Sequence, residues 1–172
     1  MNKISRKIVA MITTCIIALG ICLPVFAAEP AVAAETNLTH ATFLKNNGKN
    51  LAFNMGTGVI DSTQSTIDEN GIIKVKLQPH TATLIGKWQY TGSITEAYYA
   101  DANGNPIPEA VNLISNGYLW LDKNARQDMP KVDGKTLKGI HLVLHFDMQP
   151  SNPPGMPNPV DAYFTCDEIQ LP

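Results

Sequence analysis

Residues 139–148 alternate without a break: Ile140, Leu142, Leu144, Phe146 and Met148 fall on one side, and His141, Val143, His145 and Asp147 on the other. A period of two is what an extended strand imposes on its side chains. Five large apolar groups on one face of a strand require a second apolar layer to cover them, so a sheet packed on something is demanded from the outset. The next segment, 149–159, carries Pro150, Pro153, Pro154, Pro157 and Pro159, and proline cannot donate to a ladder. It reads as a connection, after which residues 160–169 are expected to return as the last strand, paired on 139–148.

The same pattern recurs upstream in shorter pieces. Asn70-Gly71 is a turn signal, followed by alternation over 72–77 with Ile73, Val75 and Leu77 on one side and Lys74 and Lys76 on the other. Residues 86–99 hold Trp88, Tyr90, Ile94, Tyr98 and Tyr99, with a bend expected at Thr91-Gly92-Ser93. A hairpin loop is predicted over 101–108, and a further apolar stretch over 111–121 carries Tyr118 and Trp120. Only 47–58 offers room for a short helical turn. Several short strands with turn signals between them predict an all-β fold, an immunoglobulin-like antiparallel β-sandwich with at most a short helical turn.

The N-terminus sets the expected destination. Lys3, Arg6 and Lys7 precede an apolar run from Ile8 to Ile21, and Val25-Phe26-Ala27 follows as a signal-peptidase site. That run is about 14 residues, shorter than the roughly 20 of a membrane-spanning helix. Residues 1–27 are therefore read as a secretory signal, 28–37 as a flexible lead-in and 38–172 as one domain, secreted and held at the envelope only through a partner. Ile21 is too bulky for a lipid-attachment site at Cys22. Without the three basic residues of the signal, 10 Lys and Arg face 15 Asp and Glu. A formal charge of −5 argues against nucleic acid and anionic membranes as partners. Cys166 is the one cysteine beyond the signal, so no internal disulfide is expected and the fold must rest on its core.

No constellation for catalysis is present: there is no Gly-x-Ser-x-Gly elbow, no His-Glu-x-x-His and no phosphate-binding glycine loop. Cys166 reads as a core thiol, sharing the parity of Val160, Ala162 and Phe164, and no enzyme is expected. His141 and His145 lie about 13 Å apart along their strand, poorly spaced for one metal ion, and read as part of an exposed polar face. The methionines attract more attention. Met129-Pro130 and Met156-Pro157 stand in loops, Met55 in Phe53-Asn54-Met55-Gly56, and Met148 at the end of the apolar face. Thioether sulfur fills gaps in cores, and it is also a soft ligand for haem iron or Cu(I).

Taken in order, five segments resemble the NEAT (near-iron transporter) domains, secreted haem-binding modules of Gram-positive bacteria. They are Met55-Gly56, Asn70 to Leu77, Gly92-Ser93-Ile94 with Tyr98-Tyr99, Met129-Pro130, and the closing pair 141–148 and 160–164. The resemblance spans about residues 38–170. It implies a β-sandwich that holds haem in a slot between a short helix-like segment and the closing hairpin. The family's usual ligand is a tyrosine in a Tyr-x-x-x-Tyr pattern; Tyr163 matches the first position, while Asp167 stands at the second. Some related haem proteins use two methionines instead, which here implies Met55 with Met148, and Met156 as the substitute. Phe53, Trp88, Tyr90 and Phe146 would supply walls, and Lys45 or Lys49 would reach a propionate.

The expected function is thus capture or relay of haem in extracellular iron acquisition, from free haem or a haem-donating protein. Two other classes stay open. One is an adhesion module binding protein or glycan at the cell surface through Trp88, Tyr98, Tyr99 and Trp120. The other is a soft-metal (copper) carrier using Met55, Met148, Met156 and His145.

Overall fold

The computed structural model describes residues 34–83, 88–130, 134–151 and 156–171. The segment 1–27 read as a signal lies outside them, as does 28–33. The strands in chain order are β1 (Glu35–Asn37), β2 (Thr42–Lys45), β3 (Ile60–Asp68), β4 (Ile72–Leu77), β5 (His80–Thr83) and β6 (Gln89–Tyr99). They continue as β7 (Ile114–Ser115), β8 (Tyr118–Asp122), β9 (Arg126–Asp128), β10 (Lys138–Gln149) and β11 (Val160–Thr165). Two short α-helical turns, α1 (Met55–Gly58) and α2 (Asp167–Gln170), and 3-10 turns at Ala52–Asn54 and Lys123–Ala125 complete the description.

The strands form two antiparallel sheets packed as a sandwich, in agreement with the expected class. One has the order β1-β3-β4-β8-β7 and the other β2-β11-β10-β6-β5, with β9 added to one end of β10. The closing hairpin is present in the expected register, from Ile140 opposite Phe164 to Leu144 opposite Val160. Ile140, Leu142, Leu144, Phe146 and Met148 are all buried. Phe43 and Phe164 on the same sheet meet at 5.5 Å between ring centroids. Ile60, Ile67, Ile73, Val75, Leu119 and Leu121 supply the apolar face of the other sheet. Burial of such side chains contributes roughly 1.5–3 kcal/mol each relative to leaving them exposed.

Several local expectations are corrected. Thr91-Gly92-Ser93 is not a bend but part of continuous β6. Gly92 serves instead as a gap: a Cβ there would stand 2.5 Å from the Met148 Sδ and 3.1 Å from the Met55 Sδ. The irregularity between β6 and β10 falls at His145/Phe146, where the Asn158 amide donates to the Phe146 carbonyl and its oxygen accepts from the Phe146 N–H. The last strand ends at Thr165, and α2 follows where extended chain to 169 was expected. The Gln170 side-chain amide reaches Thr165 and the Lys138 carbonyl, which fixes that turn against the hairpin. The predicted lead-in ends earlier than 37, because β1 pairs with β3.

Strand β3 has no apolar alternation to announce it. Asp61 accepts hydrogen bonds from Thr63 and Gln64, and buried Ser65 donates to the Asp61 carbonyl while accepting from the Lys76 N–H. Side chains therefore close a bulge between Asp61 and Thr66 that the ladder alone leaves open. Filling the gap at residue 92 tests the core packing directly. Gly92→Ala is expected to lower unfolding free energy by about 1–3 kcal/mol, as overpacking does, measured by urea denaturation. An unchanged midpoint would mean that Met55 and Met148 move aside freely.

Candidate functional site

The helix-like segment holds strained backbone. After Leu51, the residues Phe53 (φ 59°, ψ 26°) and Asn54 (φ 59°, ψ 22°) both adopt left-handed backbone. For a bulky residue such as phenylalanine that conformation is costly, and it persists only when the surroundings hold it. Phe53 is held by stacking on Tyr90, with centroids 6.3 Å apart and planes 15° from parallel. The turn delivers Met55 into the core, and Gly56 then passes so close to β2 that a Cβ would meet the Phe43 carbonyl oxygen.

Between this segment and the closing hairpin runs a groove of about 260 Å³, open on one side. Its walls are Leu51 and Ala52 from the helix-like segment, Met156, Pro157, Pro159 and Val160 from the hairpin, and Lys45, Asn46 and Asp161 at its polar edge. Asp161 is fully engaged. One oxygen accepts from the Asn46 amide at 2.9 Å and the other pairs with the His141 Nε2 at 2.5 Å.

His141 is not on an exposed face, contrary to expectation. It is 6% exposed, stacked on Tyr163 with centroids 4.4 Å apart and planes 5° from parallel. The cause is the packing on the outer side of this sheet. There β9 pairs with the start of β10, and Met129 covers Leu44 and Tyr163 as a small second core. Met129 and Met156, read as loop methionines, are both buried. The His141 Nδ1 is buried without a hydrogen-bond partner, and the ring borders a cavity of about 280 Å³ with Tyr99, Ile107 and Gln127.

The expected ligands divide into separate places. Met55 and Met148 come together, both sulfurs against Gly92 in the closed core. Neither of them lines the groove. Met148 and Phe146 also edge an open depression with Asn158, whereas Met156 lines the groove. Tyr163 does not line it; its phenol is buried beside His141, and burial pushes its ionisation up. Phe53 and Tyr90 stack on one another beside the core, while Trp88 is 66% exposed. His145 meets Tyr98 edge-on at 6.0 Å on the outer face, opposite to Met148, so that pair is split across the sheet. No group of three or more His, Cys, Asp or Glu that could hold a metal occurs among the described residues.

The groove's own residues suit haem better than the buried pair does. Its walls are apolar, Met156 offers a soft thioether, and Lys45 stands at the rim for a carboxylate. The groove's volume lies just under the roughly 300–1,000 Å³ of small-molecule pockets, and it is open on one side. Sequence reasoning placed Met156, Lys45 and the two flanking segments there. It missed Asp161 and Asn46, whose pairing depends on which residues the hairpin brings opposite β2.

Comparison with family models, with curated proteins and with solved structures gives no match. No helix among the described residues is long and apolar enough to cross a membrane.

Two measurements test this arrangement. Cys166, 2% exposed, has its thiol pushed up to about 12, chiefly by burial. It is expected to resist alkylation at pH 8 until the protein unfolds. Because the folded value lies above the ordinary 9.0, this group's contribution to stability is complete below pH 9 and is lost as pH climbs toward 12. Asp161→Ala removes the partner of a buried imidazole and is expected to cost about 1–3 kcal/mol in urea denaturation.

Proposed function

We propose that this chain is an exported, non-catalytic module that binds haem in the groove between the helix-like segment and the closing hairpin, in extracellular haem capture or relay. The observation that carries the reading is the groove's composition: a thioether, a lysine at the rim and apolar walls, at the position the NEAT resemblance implies. Met156 is the iron ligand in this reading, and Lys45 takes a propionate. Leu51, Ala52 and Val160 cover the apolar part of the ring. The bound haem supplies the iron that an acceptor protein takes; this chain's residues bind and orient it. The strained turn at Phe53 and Asn54 supports the reading, since such backbone clusters at ligand clamps.

Apolar burial would dominate the affinity, because the net charge favours no anion. The test is a haemin titration followed in the Soret band, in ferric and ferrous forms. A saturable one-to-one change is expected, weakened about tenfold or more, or about 1.4 kcal/mol, in Met156→Leu, which conserves volume. Met55→Leu and Met148→Leu should leave the spectrum unchanged. Loss of the spectral change in Met55→Leu with retention in Met156→Leu would transfer the ligand role to the buried pair. A titration that never saturates would remove haem from the account.

A further inference from the structure

Asparagine followed by glycine is among the pairs of residues most prone to change covalently in water. Glycine has no side chain to hinder attack by its own backbone nitrogen on the preceding amide. The chain holds four such steps: Asn47-Gly48, Asn70-Gly71, Asn103-Gly104 and Asn116-Gly117. The sequence does not separate them, and the fold does.

In three of the four the attacking nitrogen is occupied. The Gly48 N–H donates to the Lys45 carbonyl at 2.8 Å, the Gly71 N–H to that of Asp68 at 3.0 Å, and the Gly104 N–H to that of Asp101 at 3.1 Å. Gly48 is also buried, and the Asn47 side-chain oxygen accepts from the Lys49 N–H. The fourth step differs in kind. Asn116 and Gly117 are the central residues of the hairpin joining β7 to β8, closed by Ser115 opposite Tyr118. Their φ values, 53° and 75°, suit a type I′ turn, the form that Asn-Gly favours. Such a turn is held by the residues flanking it, which leaves the central N–H groups outside the ladder. Among the described residues the Gly117 N–H donates to no carbonyl, and Asn116 and Gly117 are both exposed. The Lys76 Nζ lies against the same turn, 3.4 Å from where a Gly117 Cβ would stand. A cation so placed favours the anionic form of a nitrogen about to attack.

We propose that Asn116 is a site of spontaneous covalent modification, the point at which this protein deamidates. The Gly117 nitrogen gives its proton to hydroxide and bonds to the carbonyl carbon of the Asn116 side chain. The side-chain nitrogen departs as ammonia, with its added proton drawn from water, and a five-membered succinimide remains. Water then opens the ring at either carbonyl. Cleavage of the new C–N bond gives aspartate; cleavage of the original peptide bond gives isoaspartate, with the chain rerouted through Cβ. One water is consumed and one ammonia released, with no oxidant or reductant. Isoaspartate lengthens the backbone of a tight turn at the sheet edge, where β7 has only two residues. The Gly117 carbonyl also accepts from the Leu77 N–H at 3.1 Å, so the change reaches the end of β4.

The test is incubation of the purified chain at pH 8, then proteolysis in acid and mass spectrometry. Fragment ions read the gain of one mass unit at each of the four asparagines. Asn116 is expected to convert about tenfold or more faster than Asn47, Asn70 or Asn103, since each of those must first release a held N–H. A protein isoaspartyl methyltransferase should label the aged chain and not its Asn116→Gln variant, whose side chain is one carbon too long for the five-membered ring. In urea the four rates should converge, because only the folded chain occupies the other three nitrogens. Conversion at Asn116 no faster than at the others would overturn the proposal. So would a lead for Asn116 that persists undiminished in urea, which would assign the order to neighbouring residues rather than to the turn. Haemin takes no part, so the outcome at the groove leaves this one standing.

Discussion

Strand β10 is the member on which everything else leans. Its inner face is apolar over five alternate positions, and it pairs with β11, β6 and β9 at once. A strand so placed must be covered on its inner side by the opposite sheet, and here its outer side is covered too. Met129 and Tyr163 form a small cluster there, next to a His141 that is itself buried. Burial on both sides makes the His141–Asp161 contact consequential. A polar group inside protein must find a partner or lose free energy, and Asp161 is the partner that this imidazole has.

The candidate ligand seat follows from that arrangement. Because β11 returns antiparallel to β10 and pairs with β2 on its other edge, Asp161 and Val160 arrive beside Lys45 and Asn46. The left-handed residues Phe53 and Asn54 turn the chain back so that Leu51 and Ala52 form the opposing wall. The groove is thus a product of register and of two costly backbone conformations, set on a rigid scaffold as binding sites usually are.

Where alternation was strong, the fold was legible: β4, β10 and the start of β11 stand as read, because one-sided burial leaves a period-two record. Strand β3 left none, since Asp61, Thr63, Gln64 and Ser65 satisfy its bulge with side chains that look like a loop. Gly92 looked like a bend for a similar reason, although its role is to admit two methionine sulfurs. For the candidate site, the methionines and the two flanking segments could be named in advance. Which methionine faces the groove and which enters the core depends on where β11 stops and how the turn at 52–58 is wound, and neither shows in composition or spacing. The burial of His141 was hidden too, because the residues that cover it come from distant parts of the chain.

The carboxylate of Asp161 has one oxygen on Asn46 at the groove and the other on an imidazole inside the protein. A single carboxylate, its oxygens two bonds apart, joins those two places. A charge or a dipole set down beside Asn46 changes the field at His141 in a medium where charges act more strongly than in water. The ring is thus tied to the groove's edge through one shared carboxylate, and a substitution at Asn46 reaches the imidazole without any rearrangement of the strands.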